Sequence, residues 1–308
     1  MKIAARGFTP RAALCKYGRM KISPQQTKAT HGKGRRSAKR RSATRMAALA
    51  DKYDLYQRSV QSPENEVAFF DRVFKTYYKR SPRTLREDFC GAAAVCCEWA
   101  KSRPDRLAVG VDLDRKPLAW GEKHNLSKLD AEERSRVRLL QSDARDVTGP
   151  KADVVAAQNF SFYFFKTRDE LRRYFRAAYR NLGRDGVLVL DVLGGYECMK
   201  EDTSEVRGYR SFKYVWEQER FDPITHDCRF HIHFRFPDGS ELNRAFTYDW
   251  RMWTMPEIRE LLAEAGFSRS DVYWEGTDPK TGKGNDVYRR REHAESDPAW
   301  IAYLVAVK

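Results

Sequence analysis

The chain has 308 residues, of which 41% are hydrophobic, enough for one large α/β domain or a domain with a sizeable insertion. No apolar run approaches the ~18 residues of a membrane-spanning helix, so no membrane segment is predicted. The formal net charge of +15 is concentrated at one end, because residues 1–50 hold 14 of the 58 Lys and Arg residues and no Asp or Glu. The rest of the chain is therefore expected to form a body close to neutral.

The first 45 residues predict a basic, disordered tail, because they are rich in Lys, Arg and Ser and poor in apolar residues. Three interpretations stay open: an arm that binds RNA phosphates with salt-dependent affinity, an organelle transit peptide, or residues ahead of a start at Met20 or Met46. The domain itself is expected over 46–308. Six cysteines without CxxC spacing fit a reducing compartment, so the cytoplasm is expected unless the tail directs the protein to an organelle.

A helical pattern begins at residue 46 and continues past Pro63, where Val67, Phe70 and Val73 repeat at the three- and four-residue spacing of one helix face. An element of this kind covers one face of a sheet.

The next segment reads strand, turn, helix, strand: 84–89, a turn at Gly91, 92–100, and 107–111 ending on Asp112. This order is typical of the front half of a nucleoside-binding unit, in which an acid at the second strand accepts hydrogen bonds from ribose hydroxyls. The turn has a single glycine followed by three alanines, whereas a pyrophosphate needs several glycines to approach the backbone. A ligand with a ribose and an adenine but no phosphate is therefore favoured.

Three more strands are predicted over 137–143, 152–157 and 187–191, and a capping box from Thr167 to Glu170 opens the helix before the last of them. Five strands that alternate with helices predict an α/β, doubly wound parallel sheet.

The pattern changes after the fifth strand. Segments 212–221, 228–236 and 241–250 alternate in side-chain type between turn signals, which predicts an antiparallel β meander. We expect residues 208–253 to form a cap over the substrate. A helix capped by Thr254 and two last strands, over 272–275 and 300–307, complete the prediction, with a polar loop at 278–298.

From residue 50 to 308 this order resembles the class I S-adenosylmethionine-dependent methyltransferases. Three motifs resemble a subgroup of that family: Arg-Glu-Asp-Phe-Cys-Gly-Ala at 86–92, Ala-Gln-Asn-Phe-Ser at 157–161 and Phe-Thr-Tyr-Asp-Trp-Arg at 246–251. The resemblance implies a Rossmann-like, seven-stranded sheet with the meander inserted after the fifth strand, and S-adenosylmethionine as cofactor. Phe89 and Ala93 depart from the first motif, since they stand where glycines are usual.

The same resemblance implies a cofactor site at the carboxyl ends of four strands, where such sheets bind ligands. Asp112 corresponds to the ribose-binding acid, and Asp143 to the acid that contacts adenine. A plainer interpretation stays open for these residues: each carboxylate or side-chain amide could simply cap a turn or a helix. The predicted cofactor residues are Glu87, Gly91, Asp112, Asp143, Ala144, Gln158 and Asn159.

Methyl transfer from a sulfonium is an in-line displacement, so an enzyme contributes mainly by positioning the nucleophile. A nearby base helps when that nucleophile carries a proton. His231 and His233, two apart on a strand and thus on one face, are the predicted bases, with Tyr163 as a further candidate. The Cys and His residues of this sequence do not have the spacing typical of a metal site.

The acceptor is predicted to be a small molecule. The Pro-Pro loop typical of methylation at base amino groups is missing, because Gln158-Asn-Phe-Ser161 stands at that position, and the body has no evident basic face. An RNA methyltransferase that uses the basic tail is the first alternative. A methyltransferase fold that binds the cofactor without turnover is the second.

Overall fold

The structure, a computed structural model, describes residues 45–280 and 284–308, and at its centre lies an eight-stranded sheet. Five strands run parallel in the order β5-β4-β1-β2-β3, which reverses direction between β1 and β4. Such a reversal is the switch point at which doubly wound sheets bind ligands. The parallel strands are β1 (Thr84–Asp88), β2 (Leu107–Asp112), β3 (Val137–Gln141), β4 (Ala152–Ala157) and β5 (Leu182–Gly194).

Helices pack on both faces of this sheet. One face is covered by aromatic and aliphatic side chains of α3, α4 and α5, and the other by those of α7 and α8. The predicted capping boxes at Thr167 and Thr254 are confirmed, and the Asp114 side chain caps α5. The α-helices are α1 (Met46–Leu49), α2 (Lys52–Val60), α3 (Pro63–Tyr78), α4 (Ala94–Ser102), α5 (Arg115–His124), α6 (Ala131–Ser135), α7 (Arg168–Asn181) and α8 (Met255–Ala265).

Three further strands extend the sheet beyond β5. They are β10 (Arg269–Thr277), β11 (Gly284–Arg291) and β12 (Trp300–Val307), and β12 runs antiparallel between β5 and β10. The predicted fold class is confirmed, but the count of seven strands and the loop at 278–298 were wrong, because β11 forms the eighth, edge strand. Tyr288 anchors it, with ring centroids 6.0 Å from Phe69 and 4.6 Å from Tyr303. This strand was not predicted because a single buried aromatic residue among polar ones gives only a weak alternation of apolar and polar side chains.

A second, four-stranded antiparallel sheet follows β5, and we call it the small sheet. It consists of β6 (Thr203–Gly208), β7 (Lys213–Phe221), β8 (Asp227–Arg235) and β9 (Glu241–Arg251). The predicted meander is present, with one more strand at its start. Alternate residues of β8, among them Phe230 and Ile232, are buried on its inner face, which continues the core of the α7–α8 side.

Of the predicted basic tail, only residue 45 falls within the described residues. Among the described residues, no helix combines the length and the hydrophobicity needed to cross a membrane. The five cysteines of the described part are buried free thiols.

Candidate functional site

The four strand ends that carry the predicted cofactor residues lie side by side, because β4, β1, β2 and β3 are consecutive neighbours in the sheet. The parallel register aligns Asp88 with Val111 of β2 and with Ala157 of β4. The segments that follow these strands therefore meet at one edge of the sheet, as predicted.

The turn after β1 keeps a glycine-like backbone despite its missing glycines. Phe89, Gly91 and Ala93 have φ values of 58°, 53° and 57°, the left-handed region that costs most residues roughly 1 kcal/mol or more. The Phe89 ring packs 5.5 Å from the ring of Tyr174, which helps to hold this conformation. A side chain at Gly91 would meet no atom within 4 Å among the described residues, so the turn faces open space.

Asp112 lies directly beside that turn. Its Oδ2 accepts a hydrogen bond from the Gly91 N–H at 2.8 Å, and its Oδ1 accepts one from the Asp114 N–H at 2.8 Å. Burial raises the pKa of this carboxyl, and the backbone N–H groups oppose the rise. Burial and, to a smaller degree, the charges of Asp114, Asp51 and Asp112 raise the pKa of Tyr53 in α2. No sequence motif pointed to Tyr53.

Asp143, the predicted adenine contact, already has a partner. Arg145 binds it through Nε and Nη2 at 3.0 and 2.6 Å, and these hydrogen bonds lower the pKa of Asp143. The Arg145 guanidinium also lies 5.0 Å from the ring centroid of Phe165. Ala144 is buried, and its carbonyl accepts a 2.6 Å hydrogen bond from Arg86. The segment after β3 is therefore held rigidly before any ligand binds.

Glu87 turns away from the open space. Its carboxylate accepts hydrogen bonds from the N–H and the Sγ of Cys96 in α4, at 3.1 and 3.0 Å. It thereby caps a helix whose N-cap position, Ala93, has no side-chain acceptor. Burial raises the pKa of Glu87 to about 8. Its neighbour Asp88 pairs with Arg86 at 2.6 Å, so both adjacent acids serve the protein interior rather than a ligand.

The end of β4 is shaped by Asp191, a residue of β5 that the sequence did not single out. Its two oxygens accept the N–H groups of Asn159 and Phe160 at 2.8 and 2.9 Å, and both of those residues have positive φ. Gln158 is only 2% exposed, and its Nε2 lies 3.4 Å from the Val189 carbonyl. Within the described residues, the Oε1 of Gln158 accepts no hydrogen bond. This buried oxygen at the end of β4 could therefore accept one from a bound group.

The predicted bases lie in settings that do not favour proton transfer to a substrate. The Tyr163 hydroxyl is buried and donates to the Leu193 carbonyl at 2.7 Å, and burial raises its pKa far above the usual value. The His231 and His233 rings do share one face of β8, 6.0 Å apart. That face is opposite to the one that carries Phe230, and His231 there contacts Glu219 and Thr247.

The inner face of the small sheet instead forms an aromatic wall opposite α2. The Trp250 ring lies 6.2 Å from Phe160, at the end of β4, and 4.5 Å from Tyr248. The Phe246 ring lies 4.9 Å from the ring of Tyr56 and 6.0 Å from the ring of Tyr53. Ring contacts thus connect α2, the small sheet and the segment that follows β4.

Comparison with known proteins agrees with this geometry. Residues 88–190 match the family model described as a methyltransferase domain. "Putative methyltransferase YqeM" of Bacillus subtilis is 22% identical over 197 residues, which are 61% of this chain and 75% of that protein.

Two solved structures share the fold. The sugar N-methyltransferase KedS8 of Streptoalloteichus sp. has a TM-score of 0.58 at 21% identity, covering 89% of this chain and 99% of that one. CalS10, an amino pentose methyltransferase from Micromonospora echinaspora, has a TM-score of 0.59 at 20% identity, covering 84% and 97%. Together with the strand order, these likenesses show that the protein has the fold of the S-adenosylmethionine-dependent methyltransferases, and the family match identifies a methyltransferase domain in residues 88–190.

Proposed function

We propose that this methyltransferase transfers the methyl group to a nitrogen or oxygen of a small-molecule acceptor bound between α2 and the small sheet. The observation that carries the proposal is the aromatic wall, in which the Trp250 ring contacts Phe160 after β4 and the Phe246 ring contacts Tyr53 and Tyr56. A wall so close to the strand ends suits a compact acceptor better than a polymer. The description of KedS8 as a sugar N-methyltransferase and of CalS10 as an amino pentose methyltransferase supports the same class.

The residues around the turn after β1 fit S-adenosylmethionine. The open space at Gly91 lies beside the Asp112 carboxylate, whose two oxygens each accept one backbone N–H and keep a free lone pair for a ribose hydroxyl. We assign Asp112 to the ribose, Gly91 to close backbone approach, and the segment of Asp143 and Ala144 to the adenine. Glu87 is assigned to holding α4 rather than to the cofactor.

The chain's contribution to the reaction is mainly positional. S-adenosylmethionine supplies the reactive methyl group on its sulfonium. Gln158 offers its free Oε1 to an N–H or O–H of a bound group, and Asp191 fixes the loop that follows. Orientation of this kind contributes several kcal/mol to rate acceleration. An amine acceptor in its neutral form needs no base to attack, because it sheds its proton only after the methyl group is attached.

An RNA acceptor is supported by a single sequence observation, the 14 basic residues and absence of acids in residues 1–50. Nearly all of these residues lie outside the described part of the chain. RNA affinity that falls steeply with salt, and disappears when Lys and Arg in 33–45 are replaced by Gln in the full chain, is the result that distinguishes this alternative.

Calorimetric titration of the full chain with S-adenosylhomocysteine and S-adenosylmethionine tests the cofactor assignment. We expect micromolar binding, about −8 kcal/mol, and a loss of at least ~10-fold in Asp112→Ala, because the ribose loses a charged hydrogen-bond acceptor. Asp130→Ala is the matched control, since it removes only the cap of α6. Equal affinity in Asp112→Ala would contradict the assignment. Binding without methyl transfer to any amine or hydroxyl acceptor would favour the non-catalytic alternative.

A further inference from the structure

The inner face of the small sheet carries one buried cation, Arg207 of β6. The antiparallel register sets Arg207 opposite Tyr214 and Glu205 opposite Trp216, so these four side chains share the inner face. Arg207 and Trp216 are each 7% exposed and Tyr214 is 4% exposed. A charge on an otherwise aromatic surface requires a partner, because desolvation is costly.

Neighbouring side chains satisfy only part of these groups. Arg207 Nε lies 3.2 Å from Glu205 Oε1, and its guanidinium carbon lies 6.0 Å from the ring centroid of Tyr214. Within the described residues, Nη1 of Arg207 and Nε1 of Trp216 have no hydrogen-bond partner. These two buried donors are diagonal neighbours across two paired strands, so a single acceptor group could satisfy both of them.

This buried donor pair is continuous with the aromatic wall. The Trp216 ring lies 5.9 Å from Tyr248 and 6.3 Å from Trp250, and Trp250 in turn reaches Phe160 at the end of β4. A molecule that accepts from Arg207 and Trp216 would thus lie along the aromatic wall, with its far end towards Gln158.

We propose that Arg207 and Trp216 bind a carboxylate of the acceptor, whose planar body packs on Tyr248 and Trp250 while its nucleophilic atom is directed to the end of β4. The inference rests on the proposed function and specifies its substrate class, an aromatic or otherwise planar carboxylic acid that bears an amine or hydroxyl. Burial lowers the pKa of Arg207 to about 10, so the guanidinium is still charged at neutral pH.

A carboxylate suits this place better than a phosphate. Glu205 already balances part of the guanidinium charge, and an added monoanion leaves a smaller excess of negative charge than a dianion. The geometry also offers two donors from different residues, which matches the two oxygens of one carboxylate.

The test is a titration of the full chain, saturated with S-adenosylhomocysteine, with benzoate, benzamide and phenyl phosphate as probes. We expect millimolar benzoate binding that is ~10-fold or more weaker in Arg207→Met, with benzamide unchanged, because only the charged hydrogen bond is lost. Arg235→Met is the control, since Arg235 pairs with Glu241 on the opposite face of the small sheet. Benzoate binding no tighter than benzamide, or equal in Arg207→Met, would overturn the proposal, and tighter binding of phenyl phosphate would overturn the choice of carboxylate.

A second variant tests whether Arg207 affects benzoate binding only through the folding of the protein. Trp216→Phe keeps the ring packing and removes only the N–H, so benzoate affinity should fall severalfold while benzamide affinity holds. If Arg207→Met fails to fold, an unchanged benzoate affinity in Trp216→Phe overturns the proposal. Retained binding of S-adenosylhomocysteine in both variants separates this outcome from a failure of the cofactor assignment.

Discussion

At the scale of single residues, the acids of this protein separate into those that face the cleft and those that hold the scaffold. Asp112 contacts the turn beside the open space, whereas Glu87 and Asp88, which the first motif places next to each other, are both buried against helices. A motif aligned by sequence does not reveal which side of the sheet a strand residue faces. Residues one apart point to opposite faces, so only the fold decides which of the two could meet a ligand.

The raised pKa of Glu87 predicts that the stability of the protein depends on pH. Its pKa is raised from 4.5 to about 8, so between these values the folded protein retains a proton that the unfolded chain releases. The free energy of unfolding contributed by Glu87 therefore falls as pH rises, by about 1.4 kcal/mol per pH unit. Glu87→Gln mimics the protonated side chain and removes this slope. In urea unfolding at pH 5, 6, 7 and 8, the free energy of unfolding of the variant relative to that of the wild-type protein should rise by about 1.4 kcal/mol per pH unit.

A matched substitution on the same helix, Glu98→Gln, retains Glu87 and should keep the wild-type slope. If the stability difference between Glu87→Gln and the wild-type protein is constant from pH 5 to pH 8, Glu87 does not hold the proton assigned to it.

At the scale of elements, α2 joins the two halves of the cleft. Its N-terminus is fixed by Asp51, which accepts the Tyr53 N–H at 2.9 Å and the Trp120 Nε1–H at 2.5 Å. The helix also meets the small sheet, where Lys52 donates to the Ala245 carbonyl at 3.2 Å. Tyr53, whose pKa is raised in part by the charge of Asp112, is positioned by this fixed helix end.

Loss of the Asp51 cap should therefore weaken cofactor binding. Asp51→Ala removes the acceptor, at a cost of about 1 kcal/mol to the helix, and we expect faster hydrogen exchange over residues 52–60 together with a severalfold weaker binding of S-adenosylhomocysteine. Asp51→Asn retains a side-chain acceptor and should remain close to the wild-type protein. Faster exchange without any change in affinity would show that α2 takes no part in cofactor binding.

Most elements, but fewer contacts, could be predicted from the sequence. Strand 152–157, the last strand at 300–307 and both capping boxes are confirmed, because apolar runs and caps are local signals. The edge strand β11 was missed since a single buried tyrosine gives little periodicity. Asp191, Tyr53 and Arg207 were missed for another reason: each acquires its role from residues at least 30 positions away in sequence or on another strand, through contacts that no local pattern encodes.

At the scale of the whole molecule, the small sheet is part of the main core. Its inner residues Phe230, Ile232 and Trp250 form one continuous cluster with Tyr174 and Phe175 of α7, on a single face of the central sheet. Because the two sheets share this core, the small sheet cannot open as an independent unit without exposing it. The acceptor cleft is thus expected to be largely preformed.

This continuity predicts that the small sheet and the central sheet unfold together. Trp250, 5% exposed, contacts the rings of Phe160, Tyr163, Phe230 and Tyr248, so Trp250→Ala should lower the free energy of unfolding by about 3–5 kcal/mol. Far-UV circular dichroism and tryptophan fluorescence should follow one urea transition in the wild-type protein and in the variant, at a lower midpoint in the variant. Ile224→Ala, at a 92% exposed position in the turn between β7 and β8, should change the stability by less than about 0.5 kcal/mol. Two separate transitions in Trp250→Ala, with only the first one shifted, would instead mean that the small sheet is a domain of its own, and the acceptor cleft would then form by docking of two folded units.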